Sequence, residues 1–267
     1  MKLFTRNASI TPARKPIPLV QDSQGTPAVD LTKVESAGHV DLVKRSRKAG
    51  ISLSKRGLAG IRAQAVLVLD HSGSMRTNYQ AGKVQTLVER VLGFALQIDI
   101  DGVIPIIPFD SIVHPTVNVG VTSGAGVEGY QGVVDRCITG HMGLTDLGGA
   151  LEEVRRMAQK TDAPMFVVIV TDGSPYTERG ERHATHHATD MVIDLARYPV
   201  FLKFVAIEEV PYLADLDNMD PARRLLDNVD AKTFEDPAAV SDLVFADAMV
   251  DEWDTWVSAA TAAGVLA

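Results

Sequence analysis

The sequence predicts an α/β fold with a doubly wound, mostly parallel central sheet and helices on both faces. Three observations lead there. Ala65–Leu69, Met165–Val170 and Phe201–Ile207 are short, near-continuous apolar runs, as expected of strands buried on both faces. Between them lie longer amphipathic stretches with helical spacing, and strands alternating with helices imply parallel βαβ units. The chain has 267 residues, 46% hydrophobic and 22% charged, ample for one sizeable core.

The elements follow in order. Residues 1–50 are punctuated by Pro12, Pro16, Pro18 and Pro27 and lack regular periodicity. Val40–Arg47 reads as a short helix or strand. Ile51-Ser52-Leu53-Ser54-Lys55-Arg56-Gly57-Leu58 alternates apolar and polar, which predicts a half-exposed edge strand. We therefore divide the chain into a basic, partly irregular extension over 1–60 and a globular domain over 61–267. In the domain, Ala65–Leu69 is the first strand. Gln80–Gln97 is an amphipathic helix carrying Val84, Leu87, Val88, Val91, Leu92 and Leu96 on one side. Gly102–Phe109 reads as a strand and Thr116–Val119 as an edge strand. Val127–Cys137 and Leu147–Gln159 read as helices, Met165–Val170 as a buried strand and Glu181–Arg197 as a helix. Phe201–Ile207 is the next buried strand. A short strand near Lys232-Thr233-Phe234 and a closing helix from Ala239 to Ala260 complete the pattern, with Trp253 and Trp256 as packing anchors.

Charge and composition narrow the function. Residues 1–62 hold 12 basic and 4 acidic side chains, a balance of +8. Against totals of 26 and 34, the remainder holds 14 and 30, a balance of −16. An acidic body argues against nucleic-acid binding, which needs a basic footprint. The basic extension is expected to fold back on that body in a contact that salt weakens. No run approaches the roughly 20 apolar residues of a membrane helix. The first residues lack the apolar centre of a signal peptide. A single cysteine, Cys137, excludes an intrachain disulfide and fits a reducing compartment. A cytoplasmic location is expected.

The most informative stretch is Val66–Ser74, where an apolar strand runs into Asp70-His71-Ser72-Gly73-Ser74. One carboxylate and two hydroxyls fall at i, i+2 and i+4, just past the carboxyl end of a strand, where open α/β sheets bind ligands. Three oxygen donors on a short loop suit Mg²⁺. The same residues also suit a turn in which Ser72 or Ser74 caps the next helix. Two later segments shift the balance. Thr145 lies in the Gly-rich loop Met142–Gly149, and Asp172-Gly173 ends the strand Met165–Val170. Thr145 could otherwise cap the helix from Leu147, and Asp172 could be a turn residue.

With these residues in order, the chain resembles the von Willebrand factor A family. That family's metal-ion-dependent adhesion site is Asp-x-Ser-x-Ser followed by a distant Thr and a distant Asp. The resemblance implies that Asp70, Ser72, Ser74, Thr145 and Asp172 hold Mg²⁺ (or Mn²⁺) and that a partner protein supplies a Glu or Asp to an open position on the ion. It also implies a binding module without enzymatic activity. Ile51–Gly57 is similar to the Ile/Val-Ser-Leu-x-Lys-x-Gly stretch of tellurite-resistance proteins, which points to a bacterial, toxic-cation-associated branch and a metal-stress setting.

Other readings are weaker. His183, His186 and His187 share a helix, where two could bind Zn²⁺, but a solvated face flanking the rim is the better reading. His71, at a variable position of the motif, reads as a rim residue. Gly82-Lys83 lacks phosphate-loop spacing. The rival class is a metal-dependent phosphohydrolase or phosphotransferase with Asp70 as nucleophile. It lacks the second Asp, since position 72 is Ser, and has no well-placed Lys.

Overall fold

The computed structural model describes residues 10–120, 127–130, 132–137 and 140–267. Two helices lead, α1 (Leu31–Ser36) and α2 (Val40–Lys55), and β1 (Gln64–Asp70) opens the sheet. Then come α3 (Arg76–Gln80), α4 (Lys83–Ile98), β2 (Val103–Phe109), β3 (Val117–Gly120), β4 (Glu128–Gly129) and α5 (Val133–Cys137). The second half runs α6 (Leu147–Ala158), β5 (Met165–Thr171), α7 (Glu181–Leu195), β6 (Val200–Ala206), α8 (Pro211–Asp217), β7 (Val229–Thr233), α9 (Asp242–Val250) and α10 (Trp253–Ala262).

The strands form a seven-stranded sheet in the order β4-β3-β2-β1-β5-β6-β7. Only the β2–β3 pairing is antiparallel. The chain builds outward from β1 to one edge and then returns across β1 to start β5. The switch point therefore falls between β1 and β5, at the carboxyl ends where crevices open. Alternate residues of β1 serve opposite layers. Leu67 and Leu69 pack with α2, α4, α9 and α10, while Val66 and Val68 pack with α6, α7 and α8. In the first layer Phe166 meets Trp253 edge-on at 4.6 Å between ring centroids, and both tryptophans are buried.

The doubly wound prediction is correct, and the corrections concern the type, extent or edge position of individual elements. Ile51–Lys55 is the last part of helix α2, not a strand. The alternation misleads because Ser52 is the buried residue and Ile51 is 46% exposed. Leu42, Ser46, Ala49 and Leu53 form the buried stripe at helical spacing. The Ser52 hydroxyl is satisfied by donating to Asp247 Oδ1 at 2.6 Å. The helix predicted over 80–97 breaks at Gly82, whose φ of 72° ends α3 and starts α4. Val117–Gly120 is not the edge, since β4 pairs outside it, and Glu128–Gly129 stands where a helix was expected. Position 131 of that expected helix lies outside the described residues. The closing helix is two helices, split where Glu252 takes a φ of 62°.

The extension docks, for a reason other than charge alone. Arg45 pairs with Glu89 at 2.9 Å and Arg56 with Asp251 at 2.8 Å, as the +8 against −16 asymmetry anticipates. Yet Val34, Leu42, Val43, Ala49 and Leu53 belong to the same buried cluster as α4 and α9. A Cβ added at Gly93 of α4 would come within 2.6 Å of Arg45 Cβ, so the two helices meet at close range. Upstream, Ile17 is buried and pairs with the chain's end, Ala267 N donating to Ile17 O at 2.8 Å. Apolar burial of this kind is insensitive to screening, so the contact has a component beyond the ion pairs that salt weakens.

Candidate functional site

Parallel register sets the site. Asp70 aligns with Phe109, and Leu69 with Val170, so β1, β2 and β5 end at one level. The next residues out are His71, Asp110 and Asp172. The first loop climbs from core to surface: Asp70 is fully buried, Ser72 buried and Ser74 exposed.

Three loops are tied pairwise. Gly73 N donates to Gly143 O at 2.8 Å, joining the first loop to the second. Ser74 Oγ donates to Asp172 Oδ1 at 2.7 Å, joining the first to the third. Thr145 and Tyr176 exchange main-chain bonds at 2.9 Å in both directions, joining the second to the third. Ser72 Oγ and Ser74 Oγ lie 3.0 Å apart. The Ser72–Ser74 separation is also compatible with the edge of about 3.0 Å between neighbouring ligands of octahedral Mg²⁺ with bonds near 2.1 Å. The side chains present thus fit a small, hard cation.

Electrostatics fits the same ion. Burial pushes the Asp70 carboxyl up from 3.8 to about 6, and the Asp172 carboxylate adds to the rise. Hydrogen bonds from Ser72 N (2.8 Å) and Thr171 Oγ1 (2.6 Å) oppose it without cancelling it. Asp172 is also raised by burial, with Glu208 contributing. Two carboxylates sit together with no cationic side chain paired to either among the described residues, and a divalent ion would supply that charge.

The structure also identifies what sequence reading missed. Asn78 Nδ2 donates to Asp172 Oδ2 at 3.0 Å, and Tyr79 donates its hydroxyl to Asp70 O at 2.9 Å. Asp110 Oδ2 accepts from Gly143 N at 3.1 Å, and Ser111 Oγ accepts from Leu144 N at 2.8 Å, so the β2 loop props the Thr145 loop. Asp110 was open to discovery, since it ends an apolar strand as Asp70 and Asp172 do. The cap of α6 is Asp146, which accepts from Gly149 N, so Thr145 is not the capping residue. His71 is 1% exposed and is no rim residue. On α7, His183 and His186 are exposed and His187 lies 3.2 Å from Glu152. His183 and His187 border a groove with Leu144 and Asp146, which places them beside the Thr145 loop.

A family model described as the vWA found in the TerF C terminus matches residues 62–266. The uncharacterised protein YcbR of Bacillus subtilis (strain 168) is 29% identical over 237 residues, covering 85% of this chain and 90% of its own. Two solved structures are more distant. The PilB minor pilin from Streptococcus sanguinis has a TM-score of 0.44 and 11% identity over 74% of this chain. Proximal thread matrix protein 1 from the mussel byssus, with a zinc-occupied MIDAS motif, has a TM-score of 0.43 and 15% identity over 68%. This chain spans 62% of the pilin chain and 47% of the byssus protein, less than two thirds of either.

Proposed function

The chain belongs to the vWA-TerF-like family of von Willebrand A domains, and on that premise we propose that it is a protein-binding module whose grip depends on a Mg²⁺-type ion. Asp70, Ser72, Ser74, Thr145 and Asp172 are the proposed ligand set, with Mg²⁺ or Mn²⁺ as the ion. The observation that carries the reading is the meeting of the Ser72, Ser74 and Asp172 oxygens, 3.0 and 2.7 Å apart, next to a fully buried carboxylate, with the Thr145 loop tied to both neighbouring loops by main-chain bonds.

Asp172 decides what the ion can do. Both its oxygens already accept hydrogen bonds, from Ser74 and Asn78. We place Asp172 one water from the ion, a position in which it keeps both of those bonds. With Asp70 as the nearer anion and neutral hydroxyls elsewhere, the ion keeps net positive charge and an open position. A Glu or Asp from a partner protein fills it. The carboxylate has to approach a chain of net charge −8, so attachment requires the metal. Ca²⁺, larger and suited to higher coordination, substitutes poorly.

The reading as an enzyme has less support. Asp70 is fully buried with an acceptor bond on each oxygen, a poor posture for a nucleophile that must reach a phosphorus centre. We take residues 61–267 as the interaction domain and 1–60 as its docked extension, a division that the family match from residue 62 supports. The family's TerF association supports a bacterial metal-stress role linked to tellurite resistance. Among the described residues no helix is long and apolar enough to cross a membrane, and the lone cysteine supports a cytoplasmic home. The acidic body argues against nucleic acid as the partner.

The test is capture of the partner by the full chain in Mg²⁺ and in EDTA, with wild type and Asp70→Ala. Capture lost in EDTA, lost in the variant and lost on changing one partner Glu or Asp to Ala supports the bridge. Capture by Asp70→Ala in EDTA at unchanged affinity would refute it.

A further inference from the structure

His71, Asp110 and His114 form a second cluster of ligating groups beside the oxygen site and distinct from it. One ligand atom from each lies within 4.8 Å of the other two. The sheet builds the cluster. Asp70 and Phe109 are in register, so His71 and Asp110, the next residues of adjacent parallel strands, come out side by side. His71 N donates to Phe109 O at 2.7 Å, and His114 N donates to Pro108 O at 2.9 Å, which fixes both histidines to the end of β2. His114 Nε2 is 3.1 Å from Asp110 Oδ1, and the two imidazole rings stand 6.1 Å apart at 78°.

Two features distinguish this cluster from an ordinary buried histidine pair. Burial is near complete at His71 and Asp110, 1% and 3% exposed. Both ring nitrogens of His71 lack a hydrogen-bond partner among the described residues. Buried polar nitrogens are nearly always paired, so the two ring nitrogens of His71 are open to a water or an ion. Asp110 keeps acceptor capacity, because Ile112 N and Gly143 N each use one site on its two oxygens.

We propose that His71, Asp110 and His114 bind one transition-metal ion of the Zn²⁺ class. Two imidazoles and one carboxylate are the donors that Zn²⁺, Co²⁺ and their neighbours take, whereas Mg²⁺ and Ca²⁺ require oxygen. A tetrahedral ion with bonds near 2.0 Å needs ligand atoms about 3.3 Å apart, against 3.1 Å between His114 Nε2 and Asp110 Oδ1 and at most 4.8 Å across the cluster. Water completes the fourth position. The site joins the β1 loop to the β2 loop. Through Asp110 and Gly143 it also braces the loop that carries Thr145. The inference stands on these residues alone and does not depend on the Mg²⁺ reading.

Co²⁺ is the probe, titrated into the metal-free full chain in excess Mg²⁺ while the visible d–d bands of tetrahedral Co²⁺ are followed. Wild type is expected to bind one equivalent, displaced by Zn²⁺. His114→Ala, at a partly exposed position, should weaken Co²⁺ at least about tenfold, and His71→Asn likewise, with circular dichroism reporting the fold. Asp172→Ala should retain the bands, as should a His183→Ala/His187→Ala double variant. Unchanged bands in a folded His114→Ala protein overturn the proposal. So does loss of the bands in Asp172→Ala, which would put the ion in the oxygen site, or in the α7 double variant, which would put it on the surface helix. Absence of tetrahedral bands in wild type overturns it too.

Discussion

Replacing Asp70 with asparagine should stabilise the metal-free protein, and adding Mg²⁺ should close or reverse that gap. The Asp70 carboxyl titrates near 6 in the fold against 3.8 ordinarily, because it is buried beside a second carboxylate. Holding its charge above pH 6 therefore costs the metal-free fold about 3 kcal/mol, at 1.36 kcal/mol per pH decade. Asparagine keeps the shape: its oxygen accepts from Ser72 N, and its amide donates to Thr171 Oγ1, which can turn to accept. A recovery of about 1–3 kcal/mol is expected, which raises the melting temperature by several degrees for a chain of this size. The sign with pH is fixed. The folded state binds this proton more tightly than the unfolded state, so the stability it contributes is present below 3.8 and lost as pH rises through about 6. The gap between variant and wild type should thus open between pH 4 and 6 and stay constant above. Saturating Mg²⁺ stabilises wild type by about 2.7 kcal/mol at 100 times its dissociation constant, and the variant hardly at all. Thermal melts of both proteins in EDTA and in Mg²⁺ across pH 4–8 are the assay. An asparagine variant less stable than wild type in EDTA at pH 7.5, or equal Mg²⁺ stabilisation of both, would refute the reasoning.

Three further outcomes follow from particular contacts. Lys203, fully buried on β6, donates to Asp230 and to the carbonyls of Ala248 (2.8 Å) and Asp251 (3.0 Å). Lys203→Ala should cost about 3 kcal/mol in urea melts, the low end for a broken buried pair because Lys232 stays 2.8 Å from Asp230. Gly143→Ala would set a Cβ 3.1 Å from Ser111 N and 3.2 Å from Asp110 Cγ. The displaced Thr145 loop should weaken Mg²⁺ by about tenfold or more in calorimetry, with little change in circular dichroism. Leu53→Ala, on the docked face of α2, should cost about 2–5 kcal/mol and expose the extension to protease. In wild type, raising salt should leave cleavage of the extension slow.

Legibility followed the length scale of each signal. The β1, β5 and β6 strands were plain because burial on both faces makes them apolar throughout. Lys203, the exception within β6, gave no warning because its partners lie on β7, on α9 and just past the end of α9. The Asp70, Ser72 and Ser74 loop was legible as a local motif, and Thr145 and Asp172 because each follows a recognisable element. Asn78 and Tyr79 were not, since their roles depend on a short α3 that the longer helical periodicity absorbed. The 51–58 alternation failed because Ser52 is buried through its bond to Asp247, nearly two hundred residues away. His71 was misplaced for a related reason. A motif names its ligating positions and leaves the intervening one unspecified, and only the β1–β2 register shows what lies beside it.

Calorimetric titration of Mg²⁺ into the metal-free full chain tests the central claim most directly, with wild type, Asp70→Ala, Thr145→Ala and Asp172→Ala compared. One site is expected in wild type, none in Asp70→Ala, and weakened binding in the other two, since Thr145 supplies an oxygen to the same ion and Asp172 holds one of its waters. Equal binding by wild type and Asp70→Ala would place the ion elsewhere and contradict the account.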